Sequence, residues 1–230
     1  MPDPRNWRDL LPLLSGLPLL PCGTVEPGDG GKVPINHKTG RRLTGWPTAR
    51  FTPEQIAAMN GVVRCVGIRT GADADGILGL DIDGRTAIDW CLANDCDPEL
   101  VESWLIRRNT AADRLKVTFY VPEELWPLLG NVHCHKVTKE KTATEKGEQV
   151  EVFFGTGQII VLGDHMDSGG QYVWDATPQE ITEIPPEWWG LVMQIVEGDP
   201  TARGEKRKPS DTAAGWHTLS NCPICGRNQH

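Results

Sequence analysis

The 230-residue sequence has no apolar run approaching the ~20 residues that a membrane-spanning helix needs, so an integral helical membrane protein is excluded. It has no basic surplus: 23 Lys and Arg stand against 31 Asp and Glu, a formal charge of −8. A pervasively basic coat is therefore ruled out, and any nucleic acid must be held by a local patch. A Walker-type glycine-lysine loop is missing, so no helicase motor is built in. A disulfide framework is missing too. The seven cysteines are odd in number, and Cys22, Cys65, Cys91, Cys96 and Cys134 are scattered, which suits a reducing compartment. No secretory leader is expected: the apolar stretch from Leu10 to Leu20 is broken by Pro12, Ser15, Gly16 and Pro18, and no small-x-small cleavage site follows. The expected location is the cytoplasm, away from membranes. Tyrosine is scarce, two against nine tryptophans, and no internal repeat is present.

With 39% hydrophobic and 23% charged residues, the chain is neither disordered nor a coiled coil. A short helix is expected over 6–14, and a long polar loop over 23–49. Thr52, Pro53 and Gln55 form a helix start with a capping box. Strands are expected at 62–69, 76–83, 103–108, 115–121, 149–154, 158–162 and 170–174, and helices at 85–95, 122–129 and 185–197. The charged segment 136–148 reads as a solvated hairpin or loop. Interleaved strands and helices imply an α+β or α/β class with a mixed sheet.

Three strands share one chemical pattern. In Leu78–Asp83 the residues Leu78, Leu80 and Ile82 share one face, while Asp81 and Asp83 share the other, roughly 7 Å apart at ~3.3 Å per residue. Two carboxylates on one face repel unless a hard cation such as Mg²⁺ or Mn²⁺ lies between them. A strand ending in a polar turn is the plainer reading. In Val150-Glu151-Val152 the acid again faces away from the valines. In Arg114–Phe119 the polar Arg114, Lys116 and Thr118 oppose Leu115, Val117 and Phe119. Such a face would suit metals and a polyphosphate, the acids neutralising metal and the cations phosphate; an ordinary solvated sheet face is the alternative. His165, in the turn Gly163–Gly170, falls at the rim of the same sheet, either simply exposed or donating to a phosphate oxygen. Arg69-Thr70-Gly71 ends the preceding strand, lining the site or forming a plain turn.

Together the runs GIRTGADADGILGLDIDG, DRLKVTFYVP and QVEVFFGTGQIIVLGDHMDSGGQYVW, preceded by KVPINHKTGRRLTGWPTARFTPEQI, resemble the bifunctional DNA primase/polymerase N-terminal domain. That domain is part of the archaeo-eukaryotic primase superfamily and is common in phages and plasmids. The resemblance spans about residues 15 to 175. It implies a core similar to an RNA-recognition (RRM-like) fold with an additional α/β unit. It also implies that Asp81, Asp83 and Glu151 are catalytic and hold Mg²⁺ or Mn²⁺ in a two-metal site. Arg114, Lys116 and His165 then contact the nucleotide; Lys116 stands where much of the superfamily has histidine, as in related phage-type members. The implied partners are nucleoside triphosphates, a single-stranded DNA template, and a replicative helicase acting in trans or from a region beyond His230. Lys38, Arg41, Arg42, Lys136, Lys139, Lys141 and Lys146 are candidates for the template surface.

The expected organisation is a catalytic domain over 1–197, a linker over 198–215 and a tail over 216–230. In the tail His217, Cys222, Cys225 and His230 have the spacing of a zinc knuckle, with the Cys pair the stronger half-site. His133-Cys134-His135 is a looser cluster. Two other functions fit part of this pattern. A glycosyltransferase also uses Asp-x-Asp with Mn²⁺, but requires neither Glu151 nor the Arg114/Lys116 strand. A non-catalytic single-strand-binding replication accessory would use the sheet only as scaffold.

Overall fold

The computed structural model describes residues 6–59, 61–155, 157–174 and 180–198. The tail residues His217, Cys222, Cys225 and His230, and all of the expected linker except Gly198, lie outside them.

Ten strands form one sheet: β1 (Leu19–Gly23), β2 (Val33–Pro34), β3 (Cys65–Arg69), β4 (Ile77–Asp83), β5 (Trp104–Arg108), β6 (Ala111–Tyr120), β7 (Val132–Lys139), β8 (Glu148–Phe154), β9 (Gln158–His165) and β10 (Gly170–Trp174). The helices are α1 (Pro53–Ala57), α2 (Arg85–Leu92), α3 (Trp126–Leu129) and α4 (Pro186–Gly198). Residues Trp7–Leu14 form a 3₁₀ helix, capped by the Asn6 side chain. The capping box expected at α1 is present, Thr52 and Gln55 each accepting from the other's backbone N–H.

The sheet order is β2-β1-β3-β9-β10-β5-β6-β4-β8-β7. The fold is α+β, but the expected mixed sheet is corrected: every ladder between neighbouring strands is antiparallel. The reason is local. The β4–α2–β5 crossover makes two parallel strands, yet β6 inserts between them and pairs antiparallel with both. Of the two readings of the charged segment 136–148, hairpin or loop, the hairpin holds: β7 runs to Lys139 along the sheet edge and pairs antiparallel with β8.

One face of β4, β6 and β8 is dry. Leu80, Ile82, Val117, Phe119, Val150 and Val152 are buried there with Trp188, Val192 and Ile195 of α4 and with Ala87 and Cys91 of α2. The opposite face is concave because the sheet curls. A Cβ on Gly79 of β4 would lie 2.9 Å from the side chain of Ile159 on β9, although three strands separate β4 from β9 in the order. Only a residue without a side chain permits that approach. A second core fills part of the hollow, with Trp104, Ile106, Ile77, Ile159 and Tyr172 joined to the N-terminal elements.

Candidate active site

The polar residues of β4 occupy the concave face beside that core. The register places Asp81 directly opposite Lys116 of β6 and Glu151 of β8, and Asp83 opposite Arg114. The three acids and two cations singled out in the sequence therefore share one face of three adjacent strands, which in a sheet lie ~4.8 Å apart. A sharp turn sets the end of β4. Gly84 has φ 105°, and the Glu148 carboxylate accepts from the backbone N–H of Thr86 at 2.7 Å and from its hydroxyl at 2.9 Å, capping α2.

Each acid is held by a base. The Lys116 ammonium donates to Asp81 Oδ2. Arg114 Nη1 lies 2.8 Å from Asp83 Oδ2. His133 Nε2 lies 3.4 Å from Glu151 Oε1, so the histidine weighed as part of a His-Cys-His cluster is a partner of Glu151. Burial pushes the Asp81 carboxyl up, with the Asp83 and Glu151 charges adding to it and Lys116 opposing. Burial also pushes Asp83 up, but Arg114, Lys116 and Arg108 outweigh it and hold the group below its usual range. In Glu151 burial is likewise outweighed, by His133 and then Lys116. Among the described residues no three His, Cys, Asp or Glu side chains stand close enough together to hold a metal ion. The Asp81 carboxyl nevertheless senses the charges of Asp83 and Glu151, and carboxylate oxygens are the ligand type that Mg²⁺ or Mn²⁺ prefers.

His165 closes β9 and is buried, at 3% exposure, rather than exposed in its turn. The Ser168 backbone N–H donates to its Nδ1 at 3.3 Å, so the proton of the neutral ring sits on Nε2. Nε2 is buried and has no partner. Burial, then the charges of Arg108 and Lys32, depress the ring's pKa to about 4, so the neutral form prevails near pH 7.

Three site residues escaped the sequence reading. Arg108 ends β5 opposite Tyr172 of β10, and its buried Nε has no partner. The Tyr172 ring lies 5.6 Å from His165 and 5.9 Å from the Lys116 ammonium, and its hydroxyl is buried without a partner. Lys32 comes from the loop between β1 and β2; burial lowers its pKa, with repulsion from Lys116 and Arg108 adding and Asp81 and Asp83 opposing. In Arg69-Thr70-Gly71, Thr70 donates through its N–H to the Gly157 carbonyl, and Gly71 packs on Gly155. Lys38, Arg41, Arg42, Lys136, Lys141 and Lys146 are exposed, whereas Lys139 pairs with Glu145 at 3.0 Å.

No helix among the described residues is long and apolar enough to cross a membrane. No curated protein matches the chain. A family model described as bifunctional DNA primase/polymerase, N-terminal, matches residues 6–188. Enzymes of this kind are nucleotidyltransferases that bind nucleotides and DNA and generally use divalent metals. The match spans the 3₁₀ helix, every strand of the sheet and the start of α4. On that extent of agreement, the chain belongs to the bifunctional DNA primase/polymerase N-terminal domain family.

Proposed function

We propose that the protein is a template-directed nucleotidyltransferase that makes or extends primers by two-metal-ion catalysis, in the replication of a phage, plasmid or other mobile element. One observation carries the reading: Asp81 faces Glu151 on one neighbouring strand and Lys116 on the other, with Asp83 two residues along the same face. The RRM-like core is supported by the succession β4–α2–β5–β6 and then β8, with sheet order β5-β6-β4-β8, a split β-α-β arrangement. The N-terminal strands would be the additional unit, and 1–197 the catalytic domain. A zinc site at His217, Cys222, Cys225 and His230 rests on ligand spacing alone. The helicase partner rests on the lack of a motor in this sequence.

In the reaction a 3′-hydroxyl attacks the α-phosphorus of a nucleoside triphosphate; the P–O bond to the β-phosphate breaks and pyrophosphate leaves. Asp81, Asp83 and Glu151 would hold the divalent ions, which when bound supply Lewis-acid activation of the hydroxyl and charge for the leaving group. The rest is positioning and electrostatics. Lys116 and Arg114, which balance the carboxylates, would also meet the charge of the triphosphate. His165, neutral with its proton on Nε2, donates to a phosphate oxygen without adding charge. The paired side chains are largely shielded, Lys116 at 10% and Asp81 at 17% exposure, so these charges act at reduced screening.

The test is incorporation of labelled nucleotides on single-stranded template with Mg²⁺ or Mn²⁺. Asp81→Ala, Asp83→Ala and Glu151→Gln should each cut product at least ~100-fold, since a metal ligand accounts for several kcal/mol of transition-state stabilisation. Circular dichroism should stay native. Incorporation that survives all three substitutions refutes the assignment, as does template binding with no turnover by the unaltered protein.

A further inference from the structure

The chemistry above leaves one shielded cation unused. Arg69 ends β3 at 4% exposure, with Gln158 of β9 opposite and its backbone N–H on the Pro18 carbonyl at 3.0 Å. Among the described residues its side chain makes no hydrogen bond and has no carboxylate within ion-pairing distance. A guanidinium carries five N–H donors and cannot shed its charge, so withdrawing it from water without acceptors costs free energy that a ligand recovers.

Arg69 lines a cleft of about 380 Å³, within the ~300–1,000 Å³ typical of small-molecule sites. The cleft lies at the start of β4. Gly71 is bridged to Ile77, and Asp81 follows four residues later, roughly 13 Å along the strand at ~3.3 Å per residue. Asp73 lines the same cleft, and its place is built. Ala74 and Gly76 both donate their backbone N–H to the Gly71 carbonyl, at 2.9 and 3.0 Å, folding this segment into a tight 3₁₀ turn. Arg50 clamps the turn, donating to the Asp73 carbonyl at 3.2 Å and pairing with Asp75 at 3.0 Å. The Asp73 carboxylate is exposed and takes part in no ion pair among the described residues. Arg69 feels its charge without touching it. A cation and an anion that line one cleft and do not meet leave a gap. A ligand with acceptors for the one and donors for the other closes it.

We propose that this cleft binds an unpaired guanine base, Arg69 donating to O6 and N7 and Asp73 accepting from N1–H and the 2-amino group. The planar arginine fork matches the first edge of guanine, and the two carboxylate oxygens match the second. Unpaired bases are open to reading on both edges. Adenine sets an amino donor where the arginine needs an acceptor, and neither pyrimidine offers two acceptors on one side and two donors on the other. The exposed Lys38, Arg41 and Arg42 precede the 3₁₀ turn Trp46–Thr48, whose Pro47 and Thr48 also line the cleft. A strand drawn to those cations passes beside it. That the base arrives on a DNA template rests on the reading of the protein as a polymerase; the guanine chemistry does not.

The experiment is fluorescence anisotropy of the full chain with labelled, single-stranded thymidine tracts, plain or carrying one central dG, dA or dC. The dG tract should bind about tenfold tighter than the other three, the discrimination of one bidentate base contact. Arg69→Gln and Asp73→Asn should each remove that preference and change the plain tract by less than about twofold. Asp73 is exposed, so Asp73→Asn decides the matter if Arg69→Gln fails to fold by circular dichroism. Equal affinity for all four tracts, or a dG preference that survives both substitutions, overturns the cleft. Guanosine monophosphate as competitor separates the sources: displacement of the dG tract names a free nucleotide, no displacement names the strand, and either upholds guanine. The two readings fail separately. A dG preference that needs Arg69 in a protein that incorporates nothing upholds the cleft and removes the polymerase. Primer extension by a protein with no base preference does the reverse.

Discussion

A buried histidine held neutral by its surroundings leaves a mark on stability. His165 has its proton fixed on Nε2 by the Ser168 turn, and burial with Arg108 and Lys32 nearby holds its pKa at about 4. Its value in an unfolded chain is about 6.5. Above about pH 6.5 neither state carries the proton and the ring has no effect. As pH falls from there toward 4, the unfolded chain binds the proton and the folded one does not, so stability declines. Urea midpoints at pH 7, 6 and 5 should therefore fall more steeply in the unaltered protein than in His165→Gln, which cannot titrate. Parallel curves would mean that the ring takes its proton in the native state as readily as in the unfolded one. The residues that read most clearly in the sequence were those whose neighbours are set by strand periodicity, Asp81, Asp83, Arg114, Lys116 and Glu151. Lys32, Arg108 and Tyr172 could not be read that way: they meet across loops and strands distant in sequence, and no local pattern encodes the meeting.

At the level of elements, the passage from β4 into α2 fixes where Asp83 stands. Gly84 adopts φ 105°, and a Cβ there would come within 2.4 Å of the Glu148 side chain that caps the helix. Gly84→Ala should therefore cost about 1–3 kcal/mol, from backbone strain and displacement of the cap together. Thermal melting checks this, and an unchanged midpoint would show that the turn relaxes freely. The α1 capping box and the alternating strands β4, β8 and β10 were legible for the same reason: side-chain chemistry and backbone geometry agree within a few residues. β1 was not legible, because it is buried at every position and contains Pro21, so neither alternation nor propensity marks it. β7 was legible only as hairpin or loop, because its Lys136 and Lys139 are the residues of a solvated loop, yet they suit an edge strand, where charge discourages further pairing.

For the molecule as a whole, the decisive property is the curl that brings β9 over β4 and makes a hollow out of a flat sheet. It depends on the contact between Gly79 and Ile159, where an added methyl finds no room. Gly79→Ala should destabilise by about 1–3 kcal/mol through overpacking. Ile159→Ala alone should also destabilise, by leaving a void. Combined, the two should cost less than the sum, because each relieves what the other creates; strict additivity in urea titrations would place the curl's origin elsewhere. Another outcome of this closure concerns Cys65. Its thiol is fully shielded and tethered to the carbonyl of Gly31, the residue before Lys32. An alkylating reagent reaches that sulfur only when the packing around β3 opens, so the rate at which Cys65 is labelled times the opening of this part of the core.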